Sequence, residues 1–270
     1  MAFLNNSELL RNYLLFCDYR NKAKTTSKIN LAATNWLYPT TLLPLGNFIR
    51  ENKAVYEYVQ SSNTDVDTCI SIMLDENYSE SFASKESCLM VRLPVEKEKC
   101  ELALQHLYEL HDNGQRLGGQ TAFKYIIEEL VDNIYEHSEF RSAFVMAQAY
   151  PEKRFAEMCF FDNGISFQGA YEKRGKMYSG FESIRKALEG VSVKPELQRG
   201  FGLRTTLKLV AEGLGGQALI VSGTGGFYKE KDNQKQTGYT FQAERQLKGT
   251  LISMRIPFST KPVDIYKFVE

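Results

Sequence analysis

The stretch EELVDNIYEHS, residues 128–138, constrains this chain more than any other part of its sequence. It places Glu129, Asn133 and His137 four residues apart, and because a helix turns about 100° per residue, their side chains share one helical face. The apolar residues that would bury another side of the same helix are Ile126, Ile127, Leu130 and Ile134. The pattern predicts a polar column that either borders solvent or forms one wall of a site.

Composition limits the classes of partner. Lysine plus arginine equal aspartate plus glutamate at 33 each, which argues against nucleic acid or an acidic membrane as a general partner. The sequence contains no membrane-length apolar stretch and no signal-peptide pattern. Five scattered cysteines without a CxxC pair favour reduced thiols over a disulfide frame or a zinc site. We therefore expect a soluble, cytoplasmic protein with no nucleic-acid or membrane partner.

The first 87 residues are expected to form a small α/β domain. Strands are predicted at 28–31 and 68–74. Residues 36–52 are predicted to form a strand, a turn at Pro39 and an apolar helix.

Residues 88–270 are predicted to form a larger α+β domain, a two-layer sandwich with a mixed, largely antiparallel sheet. Its strands are expected at 89–94, 142–150, 155–161, 217–223 and 249–257. Its helices are expected within 95–114, from Gln120 onwards, at 181–188 and at 203–211.

Three further motifs carry chemistry. FFDNG ends a strand at Asp162 and turns through Gly164, RGFGL places two glycines before a helix, and KGT opens the last strand. A carboxylate at a strand end can accept a hydrogen bond from an exocyclic amine such as that of adenine. Glycines before a helix let free backbone N–H groups approach phosphate oxygens. An Asn oxygen suits Mg²⁺, and a Glu one turn earlier can deprotonate an attacking water.

In this order, E-x-x-x-N-x-x-x-H, DNG, GxGL and GT before a terminal strand resemble the GHKL ATPase family, whose members share the histidine kinase-like Bergerat ATP-binding fold. The similarity spans residues 89–257, roughly two-thirds of the chain. LGGQALIVSG, residues 214–223, is similar to the family's segment after the second glycine motif. His137 is typical of the anti-sigma-factor-kinase-like branch, where it would either belong to the nucleotide site or have a structural role.

The resemblance implies a Mg·ATP site and gives its residues roles. Asn133 would be the Mg²⁺ ligand and Glu129 the general base. Asp162 would read adenine, Gly164 would allow its close approach, and Thr250 would help to bind it.

The resemblance also implies a lid over the nucleotide, at about residues 167–199. Gly200 and Gly202 match the glycines at the end of that lid, with N–H groups near the phosphates. Basic residues outnumber acidic ones within it, and Arg199 and Lys176 are the candidate phosphate contacts.

Two features bear on how far the resemblance extends. The family usually has a second glycine two residues after Gly164, where this chain has Ser166. If that position needs a positive φ, serine would be strained and nucleotide affinity reduced. The N-terminal stretch INLAATNWLYPTTLLPLGNFIR is similar to the STAS-type fold of anti-sigma-factor antagonists, although any small α/β domain would also fit it.

Three functional hypotheses stay open. The first is a Mg·ATP-binding regulatory protein that slowly hydrolyses ATP or, as a serine/threonine-type kinase, phosphorylates a protein partner such as a STAS-like regulator. The second is a catalytically inactive, nucleotide-gated interaction module. The third takes the motifs as accidental in some other α+β enzyme. Because GHKL members often dimerise, a homodimer is a further expectation.

Overall fold

The structure is a computed structural model, and it describes residues 7–75, 81–83, 88–191, 202–230 and 237–268. The helices α1 to α8 span Glu8–Thr26, Pro39–Glu51, Thr64–Leu74, Cys100–Leu110, Gln120–His137, Phe167–Glu172, Gly180–Leu188 and Gly202–Lys208. The strands β1 to β10 span Lys28–Asn30, Glu57–Val59, Ser81–Ala83, Cys88–Arg92, Ala143–Tyr150, Phe155–Asp162, Gln217–Gly223, Gly225–Glu230, Thr237–Thr240 and Leu247–Pro257.

One large sheet organises the chain. Strands β3 to β10 follow the order β3-β4-β5-β6-β10-β7-β8-β9, and neighbouring strands are antiparallel. Strands β1 and β2 form a separate parallel pair. The chain is therefore a mixed α/β protein with a large antiparallel sheet, and the C-terminal strand β10 lies between β6 and β7.

Helices cover both faces of this sheet. On one face, α4, α5 and α8 pack on alternate residues of the strands, such as Val145 and Phe160. On the other face, α1, α2 and α3 pack on the residues between them, such as Phe144 and Phe161. Strands β5 and β6 are apolar along almost their whole length because both of their faces are buried. The layer order is thus helix, sheet, helix.

A buried ion pair fixes the N-terminal helices to the sheet. Glu157 of β6 is fully buried and accepts a hydrogen bond from the Arg255 Nε of β10 at 2.8 Å. The same carboxylate accepts from the backbone N–H of Thr40 at 3.1 Å and from its hydroxyl at 2.6 Å, at the start of α2. Arg255 also pairs with Glu8 of α1. These contacts connect both helices to the centre of the sheet.

The predicted elements of residues 88–270 match the structure closely, whereas two N-terminal predictions are wrong. Residues 68–74 belong to helix α3, because the Asn63 side chain caps it and its buried residues recur with helical spacing. Residues 36–38 do not form a strand, although the helix predicted after Pro39 is present.

The division into domains near residue 87 stays a prediction. The N-terminal helices and the sheet of the second region bury one hydrophobic core between them. Residues 81–83 pair with β4 as the edge strand of that same sheet. The described part of the N-terminal region therefore forms the third layer of the sandwich.

Candidate functional site

A cleft lies between helix α5, the end of strand β6 and helices α6 to α8. It encloses about 1090 Å³, including the solvent at its mouth. Polar residues predicted for the site that line it are Glu129, Asn133, His137, Asp162 and Thr250. Gly202 and Ser166 also line it, and its apolar surface includes Ile134, Phe160, Ile165, Tyr171 and Ile252. All four sequence motifs therefore contribute to one cleft.

Helix α5 supplies one wall, and its polar column faces the cleft. The Asn133 amide nitrogen donates to the Glu129 carbonyl oxygen at 2.7 Å. Because a carbonyl oxygen can only accept, the Asn133 amide must turn its NH₂ group towards Glu129. Its oxygen is then left for a ligand. His137 is partly exposed, with its Nε2 3.9 Å from a Glu136 carboxylate oxygen. The wall thus presents hard oxygen atoms to the cleft.

Asp162 ends strand β6 at the inner end of the cleft. It is 3 % exposed, and its Oδ1 accepts a hydrogen bond from the backbone N–H of Gly164 at 2.9 Å. Burial raises the pKa of this carboxyl to about 7, while the Gly164 hydrogen bond opposes that rise. A buried carboxyl with little hydrogen bonding is poised to accept a hydrogen bond from a ligand.

We expect Asp162 to make the ligand-free protein less stable as the pH rises from about 4 to about 7. In this window the folded state keeps a proton that the unfolded chain releases, because the pKa rises from 3.8 to about 7 on folding. The loss is at most about 4 kcal/mol of unfolding free energy. Urea unfolding from pH 4 to 8 measures it, with Asp162→Asn as the comparison. Identical pH slopes for the two proteins would contradict the raised pKa.

The pairing register of β10 with β6 places the GT motif beside Asp162. Thr250 of β10 pairs directly with Asp162 of β6. Its hydroxyl lies 2.9 Å from the Ser222 hydroxyl of β7, which also accepts from the Phe167 N–H at 2.9 Å. Two motifs separated by 88 residues (162 to 250) therefore meet across one strand pair.

Two glycines of the motifs lie close to other parts of the chain, while their predicted approach to a ligand stays a prediction. A Cβ at Gly164 would overlap the backbone oxygen of Ser138, which follows α5. A Cβ at Gly202 would overlap the Glu129 carboxylate. The glycines let the DNG turn pack against the end of α5 and let the start of α8 approach Glu129.

Ser166 does not adopt the positive φ that would have strained it. Its φ is −73°, in the extended region that any residue adopts. Its hydroxyl caps helix α6 by accepting from the Gly169 N–H at 3.1 Å. Serine therefore replaces glycine here without backbone strain.

The lid residues are only partly described. Residues 167–191 contain α6 and α7, and Arg199 and Gly200 lie outside the described residues. Lys176 is not among the residues that line the cleft, and its ammonium lies 6.0 Å from the centre of the Tyr171 ring. Tyr171 does line the cleft, so Lys176 lies next to a residue of the cleft without lining it.

Several residues of the site were not predicted from the sequence. Tyr171 and Ile165 line the cleft, and Ser222 holds Thr250. The apolar residues carry no signal of their own, because a lining residue and a core residue look alike in a sequence. Ser222 follows the apolar run ALIV near the end of β7, and a polar residue in that position is a weak signal.

Charge in the cleft is one-sided. Its lining includes four carboxylates (Glu129, Asp132, Glu136 and Asp162), and lysine and arginine are absent from the lining within the described residues. No three His, Cys, Asp or Glu side chains gather into a metal-binding group in the described ranges. A divalent cation here would therefore rely on Asn133 and on oxygen atoms of the ligand.

Comparison with family models, curated proteins and solved structures gives no match. Among the helices of the described residues, none combines the length and the apolar character that crossing a membrane requires.

Proposed function

We propose that this chain is a GHKL-type protein with a Bergerat-type fold that binds Mg·ATP in the cleft, and that it slowly hydrolyses ATP or transfers the terminal phosphate to a protein partner. The observation that carries the proposal is the convergence of four motifs, spread from Glu129 to Thr250, on one cleft.

The adenine ring of the nucleotide would bind at the inner end of the cleft. There Asp162 would accept a hydrogen bond from the exocyclic amine of adenine, between apolar residues such as Ile165 and Ile252. Thr250, held through the Ser222 hydroxyl, would supply a second polar contact. This arrangement is mostly apolar with a few fixed polar groups, as small-molecule sites usually are.

The phosphates would lie along α5. Asn133 would hold Mg²⁺, which neutralises phosphate charge when it is bound. Glu129, one turn earlier, would accept the proton of a water or a protein hydroxyl as that oxygen bonds to the terminal phosphorus and the bond to ADP breaks. The acidic lining supports a ligand that arrives with its cation, since free triphosphate would be repelled.

The inactive-module hypothesis loses its sequence support, because Ser166 is unstrained. The identity of the protein partner, its STAS-like character and the homodimer stay predictions from the resemblance. Hydrolysis and transfer differ only in the oxygen that attacks, so the proposal covers both.

Calorimetric titration with Mg·ADP and Mg·ATP tests the proposal. We expect the wild-type protein to bind in the micromolar range and Asp162→Asn to bind at least about tenfold more weakly, because the amide cannot replace a charge-assisted acceptor. Asp132→Asn is the matched control, because it makes the same substitution at another carboxylate of the cleft lining. The Asp132 carboxylate pairs with the Lys97 ammonium at 2.8 Å on the surface, where an ion pair contributes little.

Chelation of Mg²⁺ provides a second arm of the same experiment. It should weaken ATP binding and leave adenosine binding unchanged, because only the phosphates meet the acidic wall. Absence of nucleotide binding to the wild-type protein would overturn the proposal, and partner capture by the same scaffold would then lead.

A further inference from the structure

The DNG turn has two sides. Asp162 lines the cleft, Gly164 is not among the lining residues but donates its N–H to Asp162, and the side chain of Asn163 turns away from the cleft. The Asn163 Oδ1 accepts from the backbone N–H groups of Arg141 and Ser142 at 3.1 and 2.9 Å. Its amide nitrogen donates to a carboxylate oxygen of Glu51 at 2.9 Å. The turn that contains Asp162 is therefore fixed by the hydrogen bonds of Asn163 on the side away from the cleft.

Glu51 is the last residue of α2, a helix of the N-terminal layer. The same carboxylate oxygen accepts from the Lys248 ammonium at 3.2 Å, two residues before Thr250. Glu51 thus contacts the end of β6 and the start of β10, the two strand ends that carry Asp162 and Thr250. One side chain of the N-terminal layer therefore contacts a close chain neighbour of each of the two residues predicted to bind adenine.

The neighbouring side chains of α2 hold the adjacent loop. Arg50 donates to the hydroxyl of Ser142, and that hydroxyl donates to the Asn47 Oδ1 at 3.1 Å. Asn47 and Ser142 are buried. The last turn of α2 therefore also contacts Ser142, whose backbone N–H donates to Asn163 in the DNG turn.

The two contacts of Glu51 differ in weight. Lys248 is 71 % exposed, so its ion pair with Glu51 contributes little. Asn163 is 7 % exposed, and its hydrogen bond to the Glu51 carboxylate is charge-assisted and largely shielded from water. We expect the contact with Asn163 to carry the effect.

We propose that Glu51 is a positioning residue, which orients the Asp162–Gly164 turn through Asn163 and makes helix α2 a part of the ligand site. The orientation of the turn concerns the chain alone, whereas its effect on nucleotide affinity rests on the proposed function. A change at α2 would then alter affinity in a cleft on the opposite face of the sheet.

The first test needs no ligand. The Gly164 amide donates to Asp162, so its hydrogen exchange reports on the turn. Measured by NMR, it should accelerate about tenfold in Glu51→Ala and stay near the wild-type rate in Glu51→Gln, which keeps an acceptor for Asn163. The control is Thr41→Val, at the other end of α2, where the buried hydroxyl donates to the Asn12 carbonyl oxygen. It should lower stability without accelerating exchange at Gly164.

The second test measures the Kd for Mg·ADP in the same variants. Glu51→Ala should bind about tenfold more weakly, with Glu51→Gln and Thr41→Val near wild type. Wild-type exchange at Gly164 in Glu51→Ala would overturn the positioning role, as would equal acceleration in Thr41→Val. Accelerated exchange in a protein that binds no nucleotide would keep the positioning role and remove the proposed function, so the two failures are distinguishable.

Discussion

Replacing Glu129 by Gln is expected to lower phosphate release or transfer by about 10²- to 10⁴-fold, the usual contribution of a general base. The amide keeps the shape of the side chain and its fit beside Gly202, but it cannot take up a proton. Binding of Mg·ADP should change little, because the proposed adenine contacts of Asp162 and Thr250 and the proposed Mg²⁺ ligand Asn133 are unchanged. Steady-state phosphate release and calorimetry on the same protein measure the two effects.

Two carboxylates on the same helix are controls for this prediction. Glu128 is exposed and outside the cleft lining, while Glu136 lines the cleft two turns after Glu129. Glu128→Gln should behave as wild type, and Glu136→Gln should alter affinity through charge without stopping turnover. Equal turnover in Glu129→Gln and wild type would remove Glu129 from its role. A joint loss of binding and turnover would make the carboxylate a binding group instead.

A wild-type protein that binds nucleotide but releases no phosphate calls for the transfer assay. Labelled ATP and candidate hydroxyl-bearing protein partners, STAS-like regulators first, would show whether the attacking oxygen belongs to a protein. Transfer that depends on Glu129 would identify a kinase. Absence of both release and transfer would make the nucleotide-gated module the leading hypothesis.

Several motifs together predicted more of the cleft lining than one motif could, because residue spacing along a helix determines which side chains share a face. Glu129, Asn133 and His137 had to share a face once the helix was assumed, and all three line the cleft. The pairing of Asp162 with Thr250 could not be predicted from spacing, because it depends on β10 inserting between β6 and β7. Only the family resemblance placed them together.

The N-terminal helical layer of the sandwich could be predicted from the sequence only in part. Strands β5 and β6 lack polar alternation, which indicates burial on both faces and hence a second layer of helices. The sequence does not reveal which helices supply that layer, because the partner of an apolar face is set by tertiary packing. Asn163 shows the same limit, since DNG predicts a turn but not that its Asn reaches Glu51 of α2.

The largest effect on stability is expected at Arg255, far from any predicted catalytic group. Arg255→Met leaves the fully buried carboxylate of Glu157 without its counter-charge, with hydrogen bonds from Thr40 as its remaining support and with its desolvation uncompensated. Breaking such a buried pair is expected to lower the free energy of unfolding by about 3–5 kcal/mol. The surface pair of Lys28 and Glu57, 2.8 Å apart with both side chains more than half exposed, is the control. Lys28→Met should lower stability by at most about 1 kcal/mol.

The double variant Glu157→Gln with Arg255→Met separates charge from packing. Because the carboxylate that lacks a partner is then gone, the double variant should be more stable than Arg255→Met alone, while Gln still accepts from the Thr40 N–H. Urea unfolding of wild type, both single variants and the double gives the coupling free energy directly. Additive losses would mean that the two side chains act through packing alone. A strong coupling would instead mean that the ion pair itself stabilises the part of the sheet that Thr40 of α2 and Glu8 of α1 contact.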